Sequence, residues 1–368
     1  MRISAAVSRL QHPAPALEAL ELEAPRAGEL LVRIAAAGIC HTDLHAHAGR
    51  LAPLPIVLGH EGAGVVEAVG EGVGGFAPGD AVVLSGSSCG GCPNCLAGLP
   101  SYCDEAMARN FGGRRMDGST ALTDLDAEPV HSHFFGQSSF STYAVVPERT
   151  AVRLDPEVPL EVAAPLGCGV LTGAGCVIES LGLGAGDSIA IFGVGAVGLS
   201  AVMAARLAGA ERIVAIDINP SRLQLAAELG ATDAFAADTP DLVAGIRGVT
   251  GRGVNFSLNT TTSPQVFTAA ADCLAMRGTA GFVTAPRGEW APPMFSVLAG
   301  GRMLRGILGG DAAPRRLIPQ LLRYWRQGRF PFDRLLRFYP FAQIEQAFAD
   351  IAAGRVIKPV LRMPGGAG

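Results

Sequence analysis

Apolar residues in the first 160 positions fall into short runs, Glu29–Ala37, Gly62–Gly70, Asp80–Leu84 and Thr142–Val146, each closed off by glycine, proline or polar residues. Runs of this length predict strands, and the long stretches between them predict an all-β, barrel-like unit. From about Ser188 the period changes. Strand-like stretches at Ile189–Phe192 and Ile213–Asp217 are followed by helical spacing over Val197–Ala208 and Arg222–Leu229. Further strand-like runs come at Val254–Asn259, Thr279–Thr284 and Met303–Leu308. Such alternation builds βαβ crossovers, so a doubly wound parallel sheet of about six strands is expected. Helical spacing returns over Leu317–Arg326 and Phe341–Ala353, and a last short strand within Val356–Met363 is expected to rejoin the first unit.

Composition narrows the class. The 368 residues exceed the roughly 250–300 at which a single core stops growing, so two domains are expected. Hydrophobic residues make up 49% and charged residues 17%, which excludes a disordered chain. A net charge of −4 leaves no electrostatic footprint for nucleic acid or an anionic membrane, and neither is expected as a partner. The uncharged stretch Ser188–Ala205, 18 residues long, is near the lower limit for a membrane span. Gly193, Gly195 and Gly198 interrupt it, and a strand–turn–helix reading accounts for it. The first residues carry no apolar signal region, and a cytoplasmic location is expected. Eight irregularly clustered cysteines in a reducing compartment favour metal ligation over disulfides.

The densest chemistry is Cys89-x-x-Cys92-x-x-Cys95, followed after seven residues by Cys103. Four thiols in one Gly/Pro-rich loop can surround an ion tetrahedrally, and a closed Cys₄ shell is the mark of structural zinc. A second set is scattered: Cys40, His60 and Cys168. Taken singly, each also reads as a buried small hydrophobe or a loop histidine. Together they make a Cys₂His set that leaves the fourth position of a zinc ion open, the catalytic arrangement. A third motif, Gly193-Val-Gly195-Ala-Val-Gly198, follows a strand and opens an apolar helix, the context in which glycines admit a pyrophosphate to a helix N-terminus. Asp217, 19 residues beyond Gly198 at the end of the next strand, can accept the hydroxyls of an adenosine ribose and repel a 2′-phosphate, which favours NAD over NADP. The same aspartate can also cap the helix that begins at Asn219-Pro220.

With these pieces in order, nearly the whole chain resembles the zinc-containing alcohol dehydrogenases of the medium-chain dehydrogenase/reductase superfamily. The family's G-H-E-x-x-G-x-x-x-x-x-G-x-x-V pattern stands as Gly59-His60-Glu61 through Gly64 and Gly70 to Val73. The resemblance implies an α/β protein, with a mainly β, GroES-like barrel catalytic domain over 1–169 and 308–368 and a Rossmann NAD-binding domain over 170–307. It implies two zinc ions per chain, a catalytic one on Cys40, His60 and Cys168 and a structural one on Cys89, Cys92, Cys95 and Cys103. Glu61 corresponds to an occasional alternative ligand, Asp43 to the acid that orients the zinc-bound histidine, Thr42 to the hydroxyl beside the substrate oxygen, and His45 to the outer end of a proton relay. His41 and Lys358 correspond to pyrophosphate contacts, Arg222 to an adenosine-ribose contact, and Thr172 and Val197 to residues against the nicotinamide, beside Gly193, Gly195, Gly198 and Asp217.

The activity implied is reversible oxidation of an alcohol to an aldehyde with NAD. The segments Gly38–Leu44, Asn110–Thr120 and Phe134–Phe140 look more like aryl (benzyl) alcohol dehydrogenases than ethanol-preferring ones. Primary aromatic or allylic alcohols are therefore the expected substrates, with Phe134, Phe135 and Phe140 as candidate pocket walls. Two alternatives remain open here: a thiol-adduct formaldehyde dehydrogenase, for which Arg114 and Arg115 are candidate anchors, and a non-catalytic superfamily member. A homo-oligomer is expected, a dimer in preference to a tetramer.

Overall fold

Strand Glu29–Gly38 is apolar along almost its whole length and is flanked on both sides by partners, so it is buried on both faces. It pairs antiparallel with Gly62–Val69, Tyr143–Pro147 and Lys358–Arg362. The computed structural model describes residues 1–10 and 12–365. It divides the chain into two units. The first comprises Met1–Cys168, Ala313–Pro319 and the stretch from Asp333, and the second comprises Gly169–Ala312 and Gln320–Phe332.

In the first unit, a seven-stranded sheet runs Ala151–Arg153, Ala81–Leu84, Gly62–Val69, Glu29–Gly38, Lys358–Arg362, Leu336–Pro340, with Tyr143–Pro147 added alongside Glu29–Gly38. A five-stranded sheet holds Ile56–Val57, Arg2–Ser8, Ala16–Leu22, Leu122–Thr123 and Pro129–Val130. Their shared core includes Leu30, Val32, Ile34, Ile39, Phe134 and Phe140. The C-terminal strand does rejoin this unit, through the pairing of Val360 with Gly38.

Six parallel strands make the second unit, in the order Asp233–Ala236, Arg212–Asp217, Ser188–Phe192, Val254–Asn259, Leu274–Phe282, Met303–Gly306. Reversal of strand order on either side of Ser188–Phe192 is the doubly wound arrangement, with its ligand crevice at the carboxyl ends of the central strands. Periodicity alone does not reveal Asp233–Ala236, because this edge strand is only half-buried and its flanks are polar. Among the described residues no single helix is long and apolar enough to cross a membrane. The uncharged stretch divides into strand Ser188–Phe192 and helix Ala196–Ala208.

One boundary differs from the expectation that 308–368 belongs wholly to the catalytic unit. Residues up to Ala312 and the segment Gln320–Phe332 group with the second unit. Leu321, Leu322, Phe330 and Phe332 are buried there, and an apolar helical face carries no mark of which neighbour will cover it.

Candidate active site

The antiparallel register Ala37↔Gly62 brings Cys40 and His60 out at the same end of two paired strands. Gly38 N donates to Glu61 O at 2.9 Å at that junction. Gly38 has to be glycine, since a Cβ there would stand 2.1 Å from Glu61 Oε2. Cys40 precedes the short helix His41–His47, and Cys168 follows the turn Ala164–Gly167. The potential ligand atoms of Cys40, His60, Glu61 and Cys168 all lie within 4.8 Å of one another.

Asp43, fully buried on that helix, accepts from Cys40 N at 2.9 Å and Gly59 N at 3.1 Å, and its Oδ1 lies 3.0 Å from His60 Nδ1. A carboxylate only accepts, so Nδ1 carries the proton and Nε2 turns to the cysteines. Nε2 is buried and has no hydrogen-bond partner. Burial alone would lower the His60 pKa, but the Asp43 carboxylate lifts it to about 10. A buried Nε2 without a hydrogen-bond partner fits a proton or a metal ion at that position. The Cys40 thiol is held well below its usual range by Cys168 and, against burial, by the Lys358 ammonium, while Cys168 is pushed up. Cys40 Sγ reaches Thr42 Oγ1 at 3.7 Å. Thr42 and His45 are three residues apart on the helix and share a face.

In the loop Cys89–Cys103 the four sulfurs also lie within 4.8 Å of one another. Gly91 N and Cys92 N donate to Cys89 Sγ at 3.4 and 3.3 Å, and these amides lower its pKa to about 6. Cys103 Sγ accepts from Cys89 N at 3.2 Å. All eight cysteines are free. Cys176 and Cys273 are buried away from both clusters, each with its pKa raised by burial.

At the glycine turn, Gly193 has φ 84°, a conformation that favours glycine. A Cβ on Gly198 would stand 2.0 Å from Gly193 O, whereas one on Gly195 would meet nothing within 4 Å. Space is thus left open over Gly195, the N-cap of helix Ala196–Ala208, where backbone N–H groups favour an anion. Asp217 Oδ2 accepts from Val194 N at 2.8 Å and Oδ1 from Asn219 N at 2.9 Å. The next helix is capped by Asn219, which accepts from Ser221 N at 3.0 Å, so Asp217 is not the cap. Arg222 lies in that helix's first turn. Gly173 packs against the Val197 backbone, where a Cβ would stand 2.1 Å from Val197 O, and this brings the helices bearing Thr172 and Val197 together. His41 is exposed.

Comparison with known proteins now separates this arrangement from others on similar folds. Residues 26–156 match the alcohol dehydrogenase GroES-like domain and residues 196–324 the zinc-binding dehydrogenase domain. A geraniol dehydrogenase of Castellaniella defragrans is 49% identical over 350 residues, covering 94% of each chain. The chain belongs to the zinc-containing alcohol dehydrogenases of the medium-chain dehydrogenase/reductase superfamily. The crystal structure of benzyl alcohol dehydrogenase from Acinetobacter calcoaceticus superposes with a TM-score of 0.95 at 42% identity, over 99% of this chain and 100% of that one. An S-(hydroxymethyl)glutathione dehydrogenase of Saccharomyces cerevisiae is more distant, 34% identical over 94% of this chain and 92% of that one.

As a zinc alcohol dehydrogenase the chain is an oxidoreductase, and its family implies zinc and NAD(H). The donors fit both: two thiols with an orphaned imidazole nitrogen, and an open helix N-terminus over a glycine turn. Several residues are held in ways the sequence did not show. Lys358 is 2% exposed, and its ammonium donates to both Glu61 oxygens at 2.8 and 2.9 Å and to Ile39 O at 3.2 Å. These bonds make it the counter-ion of the buried Glu61. Phe134 and Phe140 are both fully buried in the core of the first unit, Phe140 packed edge-on against Phe348 at 6.0 Å, which makes them core and not pocket walls. Arg115 is clamped by Glu29 and Glu23 and is no anchor for a thiol adduct.

Phe135, one of the candidate pocket walls, is half-buried and stacks on the His60 ring with centroids 4.5 Å apart and planes at 26°. One contribution was not legible beforehand: Gln137 is buried and bonds to the backbone of His60 and Gly62. A lone glutamine in an otherwise small and apolar turn is the faint signal that pointed to it.

Proposed function

We propose that this protein oxidises primary aromatic or allylic alcohols to aldehydes, reversibly, with NAD as hydride acceptor and with two zinc ions per chain. The observation that carries the catalytic part is the buried, unpartnered Nε2 of His60 facing Cys40 and Cys168. When bound, the zinc supplies a Lewis acid that lowers the pKa of the alcohol, and NAD supplies the hydride acceptor. Asp43 fixes the His60 tautomer and ring direction. Lys358 neutralises Glu61 and holds it by both oxygens. Thr42, beside Cys40, accepts the hydrogen bond of the substrate hydroxyl, and His45 on the same helix face delivers the proton to solvent. Asp217 selects the unphosphorylated ribose.

The substrate class rests on the geraniol and benzyl alcohol dehydrogenases among its relatives and on Phe135, whose half-buried ring lies against His60. An aromatic wall beside the reacting centre favours flat, unsaturated alcohols. Of the two candidate anchors for a thiol adduct, Arg115 is engaged by Glu29 and Glu23, which leaves only Arg114 for that role. Free cysteines fit a reducing, cytoplasmic setting. A homodimer is supported by the unpaired edge strand Met303–Gly306, on which Met303 is exposed. Steady-state kinetics with NAD on benzyl alcohol, cinnamyl alcohol, geraniol and ethanol, with and without glutathione or mycothiol, test the assignment. Expected is a kcat/KM for the aromatic and allylic alcohols at least about 10²-fold above ethanol. Thiol-dependent turnover of formaldehyde as the dominant activity would reverse it.

A further inference from the structure

Gln137 lies just beyond the turn Phe134–Gly136 and is 1% exposed. Its amide is spent on backbone. Oε1 accepts from Gly62 N at 3.0 Å, and Nε2 donates to His60 O at 3.0 Å and to Ser85 O at 3.2 Å. The first two bonds straddle Glu61 and grip the chain on both sides of it. The third reaches the residue after strand Ala81–Leu84, where Ser85 Oγ donates to Gly167 O at 2.7 Å, one residue before Cys168. Gly167 presses on the same strand: a Cβ there would stand 2.1 Å from Leu84 O. Two buried polar side chains therefore connect the segment bearing His60 to the segment bearing Cys168.

We propose that Gln137, acting with Ser85, is a positioning residue that sets the separation of His60 and Cys168 and so the affinity and geometry of the catalytic metal site. The inference rests on the ligand set given under the proposed function. Asp43 orients the His60 ring, but it belongs to the helix next to Cys40 and ties His60 to that cysteine alone. Among the described residues, the Gln137–Ser85 bridge is the side-chain hydrogen-bond path that runs from the His60 segment toward Cys168. The turn that presents Gln137 is held against its own preference, since Phe135 and Ser138 take φ of 52° and 54°. Such conformations persist in non-glycine residues where the surroundings over-determine them. Here Phe134 N donates to Ser138 Oγ at 3.0 Å, and Ser138 Oγ donates to Val57 O.

The test compares wild type with Gln137→Met, which keeps length without hydrogen bonds, with Gln137→Glu, which keeps only the acceptor, and with Ser85→Ala, which removes the link to Gly167. Zinc content is measured first, then the time course of release to a chelator. Cys168→Ala protein, which retains only the Cys₄ metal, serves to assign the phases. Cobalt-substituted protein supplies a visible spectrum that reports ligand geometry. Catalytic-site metal is expected to leave at least about tenfold faster in both Gln137 variants, less so in Ser85→Ala, with shifted cobalt bands and Cys₄ release within about twofold of wild type. Unchanged release and spectra in both Gln137 variants would overturn the proposal. Equal acceleration at both sites would also overturn it, because that marks a general loss of stability. Wild type binding a single metal would instead overturn the ligand set itself.

Discussion

At the scale of single residues, charge placement decides most of the chemistry. Asp217 is 6% exposed and its two oxygens hold the amides of Val194 and Asn219, so it stands fixed at the glycine turn. A carboxylate so placed disfavours a 2′-phosphate. NAD should be preferred over NADP by at least about tenfold in kcat/KM, or roughly 1.4 kcal/mol, and Asp217→Gly should narrow the ratio; paired kinetics with the two cofactors measure it. The motif residues were legible because each needs one residue type: glycine at φ 84°, thiols at metal-ligand spacing, a carboxylate at a strand end. Lys358 was not, since a lone lysine reads equally as a ligand contact or as the counter-ion of a buried glutamate. Only the fold reveals that Glu61 lies within 2.9 Å of it.

At the scale of elements, the two cysteine clusters have different structural duties. The Cys89–Cys103 loop is stitched by amide-to-sulfur bonds and has little apolar content of its own, so under the proposed two-zinc reading a metal bound there would supply its folding energy. Cys168 follows a turn already packed by Leu166 and Gly167, both buried. Cys103→Ala should cost at least about 2 kcal/mol, or roughly 4–8 °C in Tm. Cys168→Ala should abolish turnover with a much smaller shift, and calorimetry beside an activity assay separates the two.

A second element-level prediction concerns pH. Burial alone would raise the pKa of Glu29, but the His133 imidazole 3.8 Å away and hydrogen bonds from Arg115 and Arg26 N hold it at about 2, below its ordinary 4.5. A carboxylate depressed in the folded state stabilises the fold above pH 4.5, and that contribution fades as pH falls toward 2. It amounts to about 3 kcal/mol at most. Glu29→Gln should lower Tm at pH 7 and flatten its decline between pH 4.5 and 2, as read from thermal melts across that range. This network was invisible beforehand, because Glu29 and Arg115 lie 86 positions apart and nothing in the sequence pairs them.

At the scale of the whole molecule, the fold class was legible from period: strand-length apolar runs first, then βαβ alternation. What periodicity missed are pieces that depend on neighbours, such as the half-buried edge strand Asp233–Ala236, the strand Leu336–Pro340, and the two-residue strands that complete the five-stranded sheet. The opposite edge of the parallel sheet raises the last question. Strand Met303–Gly306 pairs on one side only, with Leu274–Phe282. Exposed Met276, Met303 and Leu308 lie on or near that edge, and the helix Met294–Gly300 exposes Met294, Phe295 and Leu298. A free strand edge beside exposed apolar side chains invites pairing. A second copy fits, because antiparallel pairing of a strand with itself about a twofold axis closes the assembly at this edge. The one charged side chain on the strand is neutralised in advance, Arg305 donating to Asp311 at 2.7 Å, so like charges need not meet across the axis. Light scattering coupled to size exclusion should give twice the 37.8 kDa chain mass. Met303→Asp combined with Leu298→Asp should shift the protein to monomer at micromolar concentration without loss of bound zinc. A monomeric wild type, or a double variant that stays dimeric, would remove this edge as the interface.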